Sequence, residues 1–163
     1  MGVNAMLEMS VQMVGLDQMS MAPVVILTDE KKERFLPLVI GPAEANAINL
    51  ALEKVEVPRP MTHDLLASVI GTMGGKVEQI TITKLVNETF YAEIHVRIKE
   101  TLHKIDARPS DSIALALRCS APIMVADSVA QRTMAIAKEE DPEMEDFKKF
   151  LENLTPDDFR KDN

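Results

Sequence analysis

The sequence predicts an α+β fold, a single domain with a mixed, mostly antiparallel sheet and interspersed helices. Three observations lead there. Apolar runs of strand length, alternating or continuous, recur at residues 7–14, 23–28, 35–40, 76–85, 90–98, 101–107 and 121–125. Segments of helical length start after Pro42, Thr62 and Ser110, and they do not follow every strand as they would in a parallel α/β sheet. The chain of 163 residues is the length of one domain and long enough to enclose a core.

Taken in order, Leu7, Met9, Val11 and Met13 alternate with other residues at the period of a strand with one buried face. Residues 23–28 are apolar almost throughout, which suits a central strand. Residues 29–32 form a polar turn into 35–40, where Pro37 removes a ladder donor and belongs at an edge or a bulge. Gly41 and Pro42 end that strand and start a helix whose apolar face is Ala47, Ile48, Ala51 and Leu52. Thr62 is the expected N-cap of a second helix, with His63 and Asp64 in its first turn and a stop near Gly74 and Gly75.

Asn87 and Glu88 turn the chain into residues 90–98, where Phe90, Ala92, Ile94, Val96 and Ile98 share a face. Pro109 biases Arg108 towards an extended conformation, so Ser110 is the expected cap of a third helix, with Asp111 in its first turn. That helix is apolar on nearly every side from Ile113 to Leu117, which predicts burial. After a short strand at 121–125, Asp127 and Ser128 begin a helix expected to reach about residue 138. Residues 143–154 read as an amphipathic helix with Phe147, Phe150, Leu151 and Leu154 on one face.

Composition narrows the function classes. The formal net charge is −8, but residues 139–163 hold ten acids against four bases, so the rest of the chain is close to neutral. A nucleic-acid binder ordinarily shows a basic surplus, because phosphate contacts dominate non-specific affinity. Any nucleic-acid contact here is therefore expected to be local, weak and transient. A single cysteine, Cys119, can form no internal disulfide, and no apolar run is long enough to cross a bilayer. The N-terminus lacks a basic stretch followed by an apolar one, and Met6 stands where a myristoylation motif needs Ser or Thr. A cytoplasmic setting without membrane contact is the expectation.

Two stretches share one design. Pro58-Arg-Pro-Met-Thr-His-Asp-Leu-Leu66 and Asp106-Ala-Arg-Pro-Ser-Asp-Ser-Ile-Ala-Leu-Ala-Leu-Arg118 each place an Arg-Pro step, a capping hydroxyl and an aspartate at a helix start. With Leu36-Pro-Leu-Val-Ile-Gly-Pro-Ala-Glu-Ala-Asn-Ala-Ile48, they resemble the three signature segments of the bifunctional nuclease domain family, in that family's order and spacing. The resemblance covers about residues 6–137 and leaves 138–163 as an acidic C-terminal helical extension. Met61 stands where the family commonly has Leu, and Ser112 where it commonly has Ala, both conservative departures. The family comprises small bacterial domains and plant relatives with extra modules. The resemblance implies hydrolysis of phosphodiester bonds in DNA, RNA or both.

No catalytic residue is carried over from the family; the candidates come from the chemistry. Phosphodiester hydrolysis needs an activated water and a means of neutralising charge on the phosphate. His63 is the candidate general base, and Arg59 and Arg108 are the candidate phosphate contacts. Asp64, Asp106 and Asp111, with Glu44 as a fourth carboxylate, are the candidate ligands for Mg²⁺ or Mn²⁺. The plainer reading makes the same residues helix caps and an internal ion-pair network. Two other function classes stay open. One is a protein-interaction module or homo-oligomer that docks through an apolar surface or the C-terminal helix at Phe147, Phe150 and Leu154. The other is a pocket in which Arg59 and Arg108 clamp a small anionic ligand.

Overall fold

A computed structural model describes residues 5–132, 134–135, 147 and 149–155. Among these, nine strands form one sheet in the order β6-β5-β4-β7-β1-β2-β3-β8, with β9 pairing β1. The strands are β1 (Met6–Asp17), β2 (Pro23–Thr28), β3 (Arg34–Val39), β4 (Gly75–Val86), β5 (Thr89–Ile98), β6 (Thr101–Ala107), β7 (Ile123–Ala126), β8 (Met134–Ala135) and β9 (Leu154–Thr155). Every pairing is antiparallel except β4 with β7. The helices are α1 (Pro42–Leu52), α2 (Thr62–Thr72), α3 (Pro109–Cys119) and the single turn α4 (Asp127–Ala130). The α+β expectation holds.

β1 joins the two halves of the sheet. Its first residues, Met6 to Met9, pair with β7, and from Ser10 onwards it pairs with β2. The register shifts between Val11 and Met13, so Gln12 is an extra residue and the alternation changes phase. This corrects the single face expected for β1. Met9 is buried before the bulge and Val14 after it, while Val11 and Met13 are only half-buried.

β2 is buried along its whole length because both of its faces are covered. Val25 and Leu27 face the main core beneath the helices, whereas Val24 and Ile26 pack with Phe35, Phe147 and Leu154 in a second cluster. Phe147 lies 5.7 Å from Phe35 between ring centroids. This corrects the docking role proposed for the C-terminal helix. Phe147 and Leu154 are buried within this chain, Phe150 is partly buried beside them, and Leu154 is in strand β9. Phe147→Leu should therefore lower stability by about 1–2 kcal/mol through lost ring contacts and shape. It should leave the assembly state unchanged, as read by chemical denaturation and light scattering on the same sample.

α3 lies between α1 and α2 and packs on β4 and β5. Ile113, Ala114, Leu115 and Ala116 are at most 1% exposed, as an all-round apolar helix requires. α1 buries Ala45, Ala47 and Ile48, so its inner face is rotated from the one expected and leaves Leu52 exposed. The β4–β5 hairpin turns at Asn87 and Glu88, both with positive φ, the geometry of a tight two-residue loop. Pro37 lies in β3 beyond the two residues that pair with β8, which satisfies the edge expectation.

The helix expected from Asp127 to about residue 138 stops after one turn. Met134 and Ala135 instead pair with Phe35 and Arg34 as β8, and residues 136–138 lie outside the described set. Of the helix expected over 143–154, residues 143–146 and 148 also lie outside it.

Candidate functional site

Three helix starts converge on one cavity. The first turns of α1, α2 and α3 carry Glu44, His63 with Asp64, and Asp111. A cavity of about 260 Å³ opens among them, lined by Glu44, Asn46, Met61, His63, Arg108 and Asp111 together with neighbouring smaller and apolar residues. Helix N-termini present unsatisfied N–H groups and the positive end of the dipole, so their convergence makes the region suited to negative charge.

Both expected caps shift by residues that the sequence itself contains. Pro109 occupies the first helical position of α3, where a missing N–H costs nothing, so Arg108 becomes the cap, and Ser110 is buried inside the first turn. In α2 the cap is Met61, and Asp64 reaches back to accept a hydrogen bond from the Met61 N–H at 2.9 Å. Thr62 is therefore inside the helix. The shift places His63 and Asp111 on the second and third turn positions, pointing at one another.

The side chains form two linked ion-pair groups. The Arg108 guanidinium donates through Nε to Asp111 at 2.8 Å and through one terminal nitrogen to Glu44 at 2.7 Å. Asp111 uses its other oxygen for His63 Nε2 at 2.9 Å. Arg118, at the far end of α3, donates to Asp64 at 2.7 Å, to the Ala47 carbonyl at 3.0 Å and to the Ala114 carbonyl at 2.8 Å. Arg118 has a side chain only 10% exposed, so this contact ties α1, α2 and α3 together from within. The sequence reading did not single out Arg118. The available signal was a lone cation closing an otherwise apolar helix, a position that needs an internal partner.

The nitrogens left over matter most for chemistry. Arg108 is 64% exposed in its side chain, and its second terminal nitrogen makes no hydrogen bond among the described residues. His63 is 8% exposed. Among the described residues its Nδ1 makes no hydrogen bond, and since every fully buried side-chain nitrogen or oxygen there has a partner, Nδ1 keeps some exposure on a residue that lines the cavity. A neutral ring that donates Nε2–H to Asp111 leaves Nδ1 as a free acceptor.

The carboxylates are held ionised. Hydrogen bonding from Arg108 lowers Glu44 below its ordinary range. The Met61 N–H, and then Arg118, lower Asp64. Burial alone would raise Asp111, but the Arg108 and His63 contacts outweigh it and the net shift is downward. A folded-state pKa below the unfolded value gives stability that is present above the unfolded pKa and lost as pH falls through the folded one. The urea midpoint should accordingly be steady near neutrality and fall from about pH 5 downward. Asp111→Asn should flatten that acid slope, measured by urea titrations between neutral and acidic pH.

The other expected site residues lie apart. Arg59 is exposed in the loop between α1 and α2, and its side chain makes no hydrogen bond or ion pair among the described residues. Asp106 is exposed on β6, directly across from Glu93 of β5, and is not part of the network. The four carboxylates expected to share an ion are not gathered. Asp64 is held by Arg118, Asp106 is on the strand, and the Arg108 guanidinium bridges Glu44 and Asp111. Among the described residues, no three His, Cys, Asp or Glu side chains are placed to hold a metal ion. As arranged, these side chains do not fit a Mg²⁺ or Mn²⁺ centre. Cys119 packs against the core, and burial pushes its thiol up, away from nucleophilic use.

Fold and site together define an α+β domain with a polar, ion-paired cavity at converging helix heads. The chain belongs to the bifunctional nuclease domain family, whose model matches residues 25–138, a span that contains the whole network. An uncharacterised protein of Mycobacterium tuberculosis is 40% identical over 162 residues, covering 92% of this chain and 97% of its own. Bifunctional nuclease 1 of Oryza sativa is 26% identical over 110 residues, covering 66% of this chain and 33% of its own. Bifunctional nuclease 2 of Arabidopsis thaliana is 28% identical over 105 residues, covering 63% and 32%. The chain thus spans about a third of the plant nucleases it matches. Among the described residues, no helix is long and apolar enough to cross a membrane.

Proposed function

We propose that this protein hydrolyses phosphodiester bonds in DNA, RNA or both, at the cavity between the heads of α1, α2 and α3. The observation that carries the proposal is the pairing of an open His63 Nδ1 with an exposed Arg108 on opposite sides of one aspartate. Membership of a family with plant relatives named as nucleases supports the reaction class. Arg108 offers its free terminal nitrogen to a phosphate oxygen, aided by the helix N-termini. His63 Nδ1 takes the proton from the attacking water as the new P–O bond forms; the opposite P–O bond breaks, and the leaving oxygen takes a proton from solvent. Asp111 touches neither; it positions His63 and Arg108 through its two oxygens. Arg59, exposed on the loop that leads into α2 and without a hydrogen bond or ion pair among the described residues, is available to a flanking phosphate.

No step runs through Mg²⁺ or Mn²⁺, since the carboxylates are already held by guanidinium and main-chain donors. The test is cleavage of single- and double-stranded DNA and RNA across sizing-column fractions, with Mg²⁺, with Mn²⁺ and with EDTA. Activity that follows the protein peak and persists in EDTA is expected. Activity that trails the peak would belong to a contaminant, and activity abolished by EDTA would require the carboxylates to rearrange around an ion.

A second reading has its own support in the cavity volume, about 260 Å³, slightly below the range of drug-sized ligand sites. On that reading Arg108 and the helix heads hold a small anion without chemistry. A thermal-shift series with inorganic phosphate and mononucleotides distinguishes it, giving stabilisation without any cleavage activity in the protein peak.

A further inference from the structure

β6 is the last strand on its side of the sheet, and among the described residues nothing pairs with its outer edge. Six of its seven residues are exposed. An open edge of this length is ordinarily protected, because its free N–H and C=O groups template further pairing. β6 also carries a carboxylate without a partner: Glu93 of β5 has His95 Nε2 at 3.4 Å, whereas Asp106 makes no hydrogen bond or ion pair among the described residues. The register with β5 sets Asp106 directly opposite Glu93, and like charges facing each other across an antiparallel pair are destabilising. Lys104, on the same face two residues earlier, stands opposite His95, so it does not sit across from either carboxylate.

We propose that a second copy of this chain docks on that edge, β6 against β6 in antiparallel register, with the two-fold axis at Ile105. In this register residue 104 of one copy pairs with residue 106 of the other, in both directions. Each Asp106 then sits between Glu93 of its own chain and Lys104 of the second copy. The second copy's lysine gives Asp106 the ion-pair partner that it does not have among the described residues of one chain. On the opposite face, Ile105 is the register neighbour of Ile94, a core residue, and is itself 47% exposed. Pairing brings the two Ile105 side chains together and extends the core row across the joint. The symmetry is that of an isologous dimer, in which one patch serves both copies.

Exposed apolar surface also lies on α2, which packs on α3 and β4. Ile70 of α2 packs near Gly75 alongside Val96, whose register neighbour on β6 is His103. The outer face of α2 and its two caps carry Met61, Leu65, Val69 and Met73, one every fourth residue, all exposed. A stripe of four large apolar side chains along one helix marks an interaction surface. Phe147 does not compete for this role, since it is buried on β2 and β3 with Phe150 partly buried beside it.

The experiment is sedimentation velocity on the full chain over a concentration series, with Lys104→Glu, Asp106→Lys, the double swap, and an equimolar mixture of the two single variants. The wild type should sediment at twice the 18.1 kDa chain mass. Either single change places like charges across both contacts and should weaken the dimer by about tenfold. The double swap should restore it, and mixing the two single variants should restore it as a heterodimer. Asp106→Lys removes the conflict with Glu93 within one chain, so loss of fold does not explain loss of assembly; circular dichroism confirms this. A wild type at the monomer mass at every concentration would overturn the proposal. So would a dimer indifferent to all four changes.

Discussion

Arg118→Met is expected to destabilise the protein by about 3 kcal/mol, the lower part of the range for breaking a buried ion pair. Three acceptors lose their donor at once: an Asp64 oxygen and the carbonyls of Ala47 and Ala114. Methionine fills much of the volume, so the loss is polar in origin and not a cavity effect. Asp64 keeps some contact with water and retains its Met61 hydrogen bond, which holds the figure below the upper limit. Because Arg118 links all three helices that frame the cavity, the change should appear in the cooperative unfolding of the whole domain. Urea denaturation at neutral pH measures it, and a shift of less than 1 kcal/mol (about a fifth to a fifteenth of a typical domain's stability) would remove Arg118 from this role.

Arg108→Met should behave in the opposite way. Its side chain is largely exposed, and exposed ion pairs contribute about 0–1 kcal/mol, so the fold should be nearly unaffected. Its effect on phosphodiester cleavage should be large, about a hundredfold, the usual consequence of removing one preorganised donor to developing charge. Two arginines at opposite ends of α3 thus separate by burial: one closes the scaffold and the other faces the substrate. Parallel urea and cleavage measurements on the two variants read that separation directly. Equal losses of cleavage and of stability in Arg108→Met would mean that it too is only scaffold.

Much of this site was legible in the sequence because its parts are local. An Arg-Pro step sets the conformation before α3, an acid in a first turn is favoured by the dipole, and the apolar run from Ile113 to Leu117 requires burial. The continuous apolar run of β2 correctly signalled a strand covered on both sides. What the sequence hid is what depends on distant partners. Thr62 and Ser110 are reasonable caps in isolation, yet Asp64 reaching back to Met61 and the fixed φ of Pro109 move both helix starts. The residues after Asp127 have a helical pattern, but pairing of Met134 and Ala135 with β3 takes the chain out of it. Phe147 and Leu154 form an apolar face that looks free until Val24, Ile26 and Phe35 are known to lie beneath it. Asp106, charged and next to the key junction, points from an edge strand instead of into the cavity network.

The measurement that bears most directly on the proposed site is cleavage by His63→Gln under single-turnover conditions, beside wild type and an Asp106→Asn control. Glutamine can keep a hydrogen bond to Asp111 but cannot serve as a base near neutral pH. Cleavage should fall by about a hundredfold or more in His63→Gln and stay at the wild-type rate in Asp106→Asn, with both proteins folded. A folded His63→Gln protein that cleaves as fast as wild type would contradict the placement of the chemistry at the heads of α1, α2 and α3.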